Sequence, residues 1–377
     1  MSKIMGNKFD LDTPALLVDL DAVEHNIRTM AEYFATVTPG LRPHVKTHKM
    51  PAVTRMQIDA GAIGATCQTL GEAEVFAQAG VPGLLITSPI ANRDKVARLV
   101  GLSRWADVTI TVDSLDVARA ISSVAVDGGI RVKTAVEMST IRCGLQAGDS
   151  TVRFVKELAS LSGLEFKGIW THEAGASDEF ELGMELSWEK RKKAHFAALD
   201  PFLETKHMLE RAGIPVEIFS AGYTATYDMT GEYPEVTDVQ AGTYVFMDWL
   251  YRELEGLEKF RQALTVLTTV ISIPPHQKTK AYIDCGIKNI SSENTCDYTL
   301  TAFPRVEGPL SDRLEVSGLS EEHGHLEGDV GRLSPGDKLE LVPPHCCTVP
   351  ARYDVAYVTS GDIVVGKWDV AARGKHG

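Results

Sequence analysis

Long apolar runs are missing from this 377-residue chain. None approaches the roughly 20 residues that a helix needs to cross a bilayer, so no membrane partner is expected. A basic excess is missing too. With 38 Lys+Arg against 51 Asp+Glu, a formal charge of −13, no surplus of cations exists to neutralise phosphates along a nucleic acid. Cysteine is scarce, six residues of which Cys346 and Cys347 are adjacent. That gives no disulfide framework and suits reduced thiols in a cytoplasmic protein. Residues 1–14 hold lysines but neither an apolar core nor a small-residue cleavage site, so no signal peptide is expected. Low-complexity tracts and Pro/Gly/Ser-rich linkers are absent as well. A small anion stays within reach as a ligand, because backbone N–H groups and one or two cationic side chains suffice for it.

What is present is an ordinary globular composition, 44% hydrophobic and 24% charged. Apolar β-type runs at 43–46, 62–67, 84–87, 108–112, 130–138, 166–172, 216–220 and 237–240 alternate with helical stretches, among them 71–79, 93–102, 114–123, 152–161 and 186–212. A further helix over 21–33 leads into the first run. Such alternation predicts parallel strands joined by helical crossovers, and eight units in about 250 residues is the size of a (β/α)8 barrel. After residue 257 the texture changes to runs at 264–273, 280–284, 314–319, 338–342, 355–359 and 363–368. Polar turns such as Ser334-Pro335-Gly336-Asp337 separate them. The expected fold class is α/β: a (β/α)8 TIM-type barrel over 20–257, followed by an antiparallel β domain built from 1–19 and 258–377.

Barrel function collects at the C-terminal ends of strands. The first ends in Arg42-Pro43-His44-Val45-Lys46-Thr47-His48-Lys49, and on an extended segment His44, Lys46 and His48 would share a face. A lysine there is a candidate Schiff-base amine, because desolvation lowers its pKa and frees its lone pair. The plainer alternative is a solvated basic loop. The last two strands run into Ser220-Ala221-Gly222-Tyr223-Thr224 and Gln240-Ala241-Gly242-Thr243-Tyr244. Glycines there let backbone N–H groups approach an oxyanion, in the two loops that recurrently hold phosphate in such barrels. Arg142 and His172 follow strands five and six. Lysine, arginine, histidine and a phosphate cradle together fit pyridoxal 5′-phosphate (PLP). In the β domain, His345 and Cys347 are two residues apart and could ligate one divalent ion, zinc being favoured by the thiolate. Glu321-Glu322-His323-Gly324-His325 reads as a polar turn, with a site role for His323 left open.

The segment from Pro43 to Lys49 closely resembles the PLP-lysine region of the D-threonine aldolase and eukaryotic-type D-serine dehydratase family, relatives of alanine racemase. The likeness extends through Asp12-Thr13-Pro14-Ala15, Gly71-Glu72-Ala73-Glu74, Ser220-Ala221-Gly222, Ala241-Gly242-Thr243-Tyr244-Val245-Phe246, Glu321-Glu322-His323-Gly324 and Pro344-His345-Cys346-Cys347-Thr348. It implies that Lys46 carries the cofactor, with Lys49 as the competing candidate. It further implies that Arg142 faces the phenolic oxygen, that His172 lies beside the ring, and that Ser220, Gly222, Tyr223, Gly242, Thr243 and Tyr244 belong to the phosphate loops. His345 and Cys347 match the metal pair, whose ion is Zn, Mn or Mg. The strand-five segment departs from the family spelling, and so does His172-Glu173-Ala174-Gly175. Both departures fall where a substrate side chain would rest, so an altered substrate is expected.

The implied activity is retro-aldol cleavage of D-3-hydroxy amino acids to glycine and an aldehyde, with Lys46 and His172 catalytic. The alternative is dehydration of D-serine or D-3-hydroxyaspartate to an oxo acid and ammonia. His-x-Cys resembles the dehydratase pair, whereas the segment from Trp368 to Lys375 looks like the aldolase branch. A racemase and a non-catalytic PLP carrier are the further options. The resemblance also implies a homodimer acting on a small-molecule amino acid.

Overall fold

The computed structural model describes residues 6–138, 143–173, 187–294 and 301–376. The chain divides into two compact units, Met30–Lys46 with Val53–Gly242 and Gly374–Gly377, and Met1–Thr29 with Thr47–Ala52 and Thr243–Arg373.

The first unit is the expected barrel. Its strands are β1 (Gly40–Leu41), β2 (Ala65–Cys67), β3 (Leu84–Ile86), β4 (Val108–Thr111), β5 (Val132–Glu137), β6 (Leu164–Trp170), β7 (Ile218–Ala221) and β8 (Asp238–Val239). All eight are parallel, in the order β1-β8-β7-β6-β5-β4-β3-β2. A parallel bridge between His44 and Thr66, with the Thr66 N–H on the Pro43 carbonyl at 2.9 Å, joins β1 to β2 and closes the ring. Strands covered on both faces lose the alternation of half-exposed ones, and every residue of β2, β3 and β4 is buried. Leu85, Ala135 and Trp170 pack together inside. The Trp170 indole N–H is satisfied by Thr111 Oγ1 at 2.9 Å, which lets so large a polar-tipped ring be fully buried.

The second to eighth predicted barrel strands are found, with their ends shortened or moved by a few residues. The expectation for the first fails. Residues 43–46 are no strand: β1 stops at Leu41, and Val45–Thr47 is a 3-10 turn. Pro43 has no N–H to give a ladder. His44, Lys46 and His48 therefore do not share a face by alternation. Helices follow the strands as read. Leu70–Gln78 opens on a capping box between Thr69 and Glu72, and Asn92 caps Arg93–Leu102 through the Asp94 N–H. Among the described residues no helix is long and apolar enough to cross a membrane.

The second unit is built on a nine-stranded sheet. Its main path runs Leu314–Leu319, Gly324–Gly328, Lys280–Ile283, Leu264–Ser272, Ala15–Asp19, Val355–Ser360 and Ile363–Asp369, with Lys338–Val342 and Arg305–Glu307 branching from Leu264–Ser272. The sheet is antiparallel except at one ladder, where Ala15–Asp19 runs parallel to Val355–Ser360. That N-terminal strand fills the centre of the sheet, pairing on its other side with Leu264–Ser272, and its first four residues are buried.

Candidate active site

At the barrel mouth, Lys46 is half-buried within the turn after β1, and its N–H lies 3.4 Å from His44 Nδ1. Lys49 is buried and adopts a positive φ of 58°, its carbonyl taking the Ala372 N–H at 3.1 Å. His172 stands two residues past β6, its ring edge-on to Tyr223 at 5.4 Å between centroids. Strand ends thus bring His172 and Tyr223 together. Arg142 lies outside the described residues.

Ser220 has a different neighbourhood from the one its loop suggests. Its hydroxyl donates to Asp238 Oδ1 at 2.5 Å and accepts from Gln240 Nε2 at 2.9 Å, while Arg42 Nε donates to the same Asp238 oxygen at 3.0 Å. This buried network stitches β1, β7 and β8. A buried charge pair of this kind tolerates no half-removal, because the survivor would stand uncompensated at a cost of about 3–5 kcal/mol.

Gly222 has φ +80°, and a Cβ there would come within 2.8 Å of Thr230 Oγ1 and 2.9 Å of Val239. Both the backbone angle and the close approach require glycine. Its N–H donates to Glu173 Oε2 at 3.0 Å. In the next loop the consecutive N–H groups of Gly242 and Thr243 meet no acceptor among the described residues. Both residues are buried, and unpaired buried N–H groups are costly unless something accepts from them. A phosphate fits that requirement.

In the β unit, His345 is extended but the 3-10 turn Cys346–Thr348 starts directly after it, so His345 and Cys347 do not share a face by strand alternation. His345 and Cys347 are nonetheless hydrogen-bonded to one another. Fully buried Asp248 organises them: its Oδ2 takes the Cys346 N–H at 2.9 Å and meets His345 Nδ1 at 3.0 Å, while Oδ1 caps the helix Trp249–Arg252 through the Tyr251 N–H at 2.9 Å. With Nδ1 held by a carboxylate, Nε2 is the nitrogen left to ligate, the usual arrangement around a metal-binding histidine. Tyr251 stacks on the imidazole, and Thr47 Oγ1 is 3.1 Å from Cys347 Sγ. Burial works to lower the His345 pKa, but Cys347 and the Asp248 hydrogen bond outweigh it and hold the group well above the usual histidine value. A buried carboxylate and a thiol around one imidazole are a donor set that a divalent ion would suit. By contrast, burial pushes the Cys346 thiol up, so it stays protonated.

A surface cluster of His207, Glu210 and Glu235 has metal-like spacing. It already holds a cation, because Lys206 Nζ sits 2.7 Å from Glu210 and 2.5 Å from Glu235. His323 is exposed in a tight turn, its carbonyl taking the Ser320 N–H at 2.8 Å. Sequence reasoning missed Asp248 and Glu173. Asp248 stands two residues beyond the Ala241–Phe246 motif as an N-cap aspartate, and that position was its signal. Glu173 gave none.

The alanine racemase N-terminal domain family matches residues 18–249, and a serine dehydratase domain family matches 263–359. A 3-hydroxy-D-aspartate aldolase of Paracoccus denitrificans is 32% identical over 97% of this chain and 93% of its own length. A D-threo-3-hydroxyaspartate dehydratase of Delftia sp. is 30% identical over 95% and 97%. Its solved structure superposes with a TM-score of 0.83 at 28% identity, covering 97% and 99% of the two chains. The crystal structure of a D-threonine aldolase from Filomicrobium marinum superposes with a TM-score of 0.89 at 29% identity over the whole of both chains. One solved variant of a D-threo-3-hydroxyaspartate dehydratase, with a TM-score of 0.82 at 27% identity over 96% of this chain and 98% of its own, is described as the metal-free form.

Proposed function

Because this chain belongs to the alanine racemase N-terminal domain family and carries a serine dehydratase domain behind the barrel, we propose that it is a PLP- and divalent-metal-dependent lyase. Its reaction is retro-aldol cleavage of D-3-hydroxy amino acids to glycine and an aldehyde. The observation that carries this reading is the cation-seeking group of His345, Cys347 and Asp248, one member of which touches Thr47, the residue next to Lys46. A racemase needs no such group.

When bound, PLP supplies an electron sink at the substrate Cα and the divalent ion a Lewis acid for the β-hydroxyl. Lys46 would hold the cofactor through its side-chain amine. Gly242 and Thr243 give their N–H groups to the phosphate. Arg142, by its resemblance, faces the phenolic oxygen. His345 Nε2 and Cys347 Sγ ligate the ion, and Asp248 fixes the imidazole tautomer through Nδ1. A ring nitrogen of His172, braced by Tyr223, takes the hydroxyl proton as the Cα–Cβ bond breaks.

A second reading has its own support: the His-x-Cys pair resembles that of dehydratases, and the Delftia relative is one. If Lys46 takes the Cα proton instead, hydroxide leaves from Cβ, and water then hydrolyses the released enamine, through its imine tautomer, to an oxo acid and ammonia. Incubation with D-threonine and D-3-hydroxyaspartate, with and without chelator, decides between them. Glycine plus an aldehyde, lost on chelation, is the expected outcome. Oxo acid and ammonia alone would replace the aldolase reading with the dehydratase one.

A further inference from the structure

Glu173 is buried behind the β7 loop, its side chain wholly out of solvent. Its Oε2 accepts the Gly222 N–H and its Oε1 the Thr226 hydroxyl, each at 3.0 Å. Thr226 Oγ1 also lies 3.3 Å from the Tyr223 N–H and accepts from Thr230 Oγ1 at 3.4 Å, and Thr230 Oγ1 is 2.9 Å from His195 Nε2. Each hydroxyl has one proton. Thr226 spends its proton on Glu173 and Thr230 spends its own on Thr226, so His195 must be the donor through Nε2–H. Burial, working against the nearby Glu173 and Asp228, lowers the His195 pKa and favours the neutral ring. Donation therefore runs one way, from His195 through two threonines to a carboxylate that can only accept.

This chain ends on the backbone of the loop that follows β7. A negative charge there cannot attract a phosphate, so its contribution is conformational. It occupies the one N–H that a free Gly222 would turn elsewhere, and it fixes φ +80° at a position with no room for a Cβ.

We propose that Glu173 is a positioning residue for the cofactor phosphate: it anchors the Gly222–Thr226 loop from the protein side, with His195 and Thr230 holding Thr226 in register. The inference rests on the PLP reading above.

The test compares cofactor capture by the apoprotein for PLP and for pyridoxal, which has the aldehyde but no phosphate. The parent protein binds PLP far more tightly than pyridoxal if the PLP reading holds. Equal or absent binding of both by the parent would overturn that reading and leave Glu173 without a ligand to position. In Glu173→Ala the preference for PLP falls by about tenfold or more, the worth of one charge-assisted hydrogen bond, while pyridoxal capture by Lys46 is unchanged. Glu173→Gln, which keeps one carbonyl oxygen for Gly222, restores part of the preference. Phosphorus NMR of the bound cofactor shifts in Glu173→Ala and not in a surface control such as Glu204→Ala. If Glu173→Ala does not fold, Thr226→Val takes its place, because it removes the bridging hydroxyl at constant volume and lowers the preference in the same direction. A folded Glu173→Ala or Thr226→Val protein with the parental PLP-to-pyridoxal ratio overturns the inference.

Discussion

Asp248→Asn is the most informative single change, because it alters the proposed metal pair without touching either proposed ligand. Asp248 is fully buried and holds three groups: the Tyr251 N–H, the Cys346 N–H and His345 Nδ1. Asparagine is isosteric but has one acceptor oxygen instead of two. If that oxygen stays on Cys346, the amide NH2 replaces the carboxylate oxygen at the helix cap. If the amide turns over, its NH2 meets His345 and Cys346 and pushes the imidazole proton onto Nε2, the ligating nitrogen. Either way His345 loses its carboxylate partner, and such losses cost about 10–100-fold in metal affinity, or about 1.4–2.8 kcal/mol. Asp248→Ala is less clean. It strands the buried Cys346 N–H, at about 1–3 kcal/mol, and removes the helix cap on the Tyr251 N–H, worth about 1 kcal/mol. The assay is calorimetric titration of metal-stripped protein with Zn2+ and Mn2+, with a thermal melt of the metal-free protein alongside. Parental affinity within about twofold, at an unchanged melting temperature, would refute the carboxylate–histidine–metal arrangement.

Three further outcomes follow from the same geometry. Lys46→Ala should abolish the visible absorbance of lysine-bound cofactor, near 420 nm to order of magnitude, and loss in Lys49→Ala instead would transfer the role to Lys49. Cys347→Ala should lose bound metal and activity while retaining cofactor, checked by elemental analysis and absorbance; unchanged metal content would remove Cys347 from the ligand set. His195 carries a pH dependence of stability. Its pKa is lowered in the folded state by burial, so its contribution is full above the ordinary histidine value of about 6.5 and is lost as pH falls through the folded value. Urea unfolding between pH 7.5 and 5 should therefore steepen with acid in the parent more than in His195→Gln, and parallel curves would contradict the assignment.

The barrel strands were legible because each is a short apolar run bounded by polar helix starts, a pattern set locally. The first strand end was misread. Arg42-Pro43-His44-Val45-Lys46 has β-like composition, and only the three-dimensional path shows that the strand stops at Leu41, leaves a single bridge at His44 and turns at Val45–Thr47. The metal pair was named on an extended spacing that the structure replaces with a turn. The two side chains still meet, because the turn keeps His345 and Cys347 close on the same short segment. Their organiser was not legible, since Asp248 reaches His345 across 97 positions and Glu173 reaches Gly222 across 49. Neither distance leaves a periodicity to read. Ser220 looked like a loop ligand, yet its hydroxyl closes a network with Asp238 and Gln240, a partnership only the closed barrel creates.

That closure sets the timetable on which the protein acquires its chemistry. Arg42 and Asp238 meet across a seam 196 positions wide, and the donors at Gly242 and Thr243 lie just beyond it. On the proposed reading, a chain leaving the ribosome makes the lysine segment early but completes the phosphate donors only when the last barrel strand is synthesised and docked. Long-range closures of this kind are slow to form, and their unpaired edges are exposed to aggregation while they wait. Cofactor capture then becomes a certificate of finished folding, which a ribosome-stalling series of increasing length would display as a single late step.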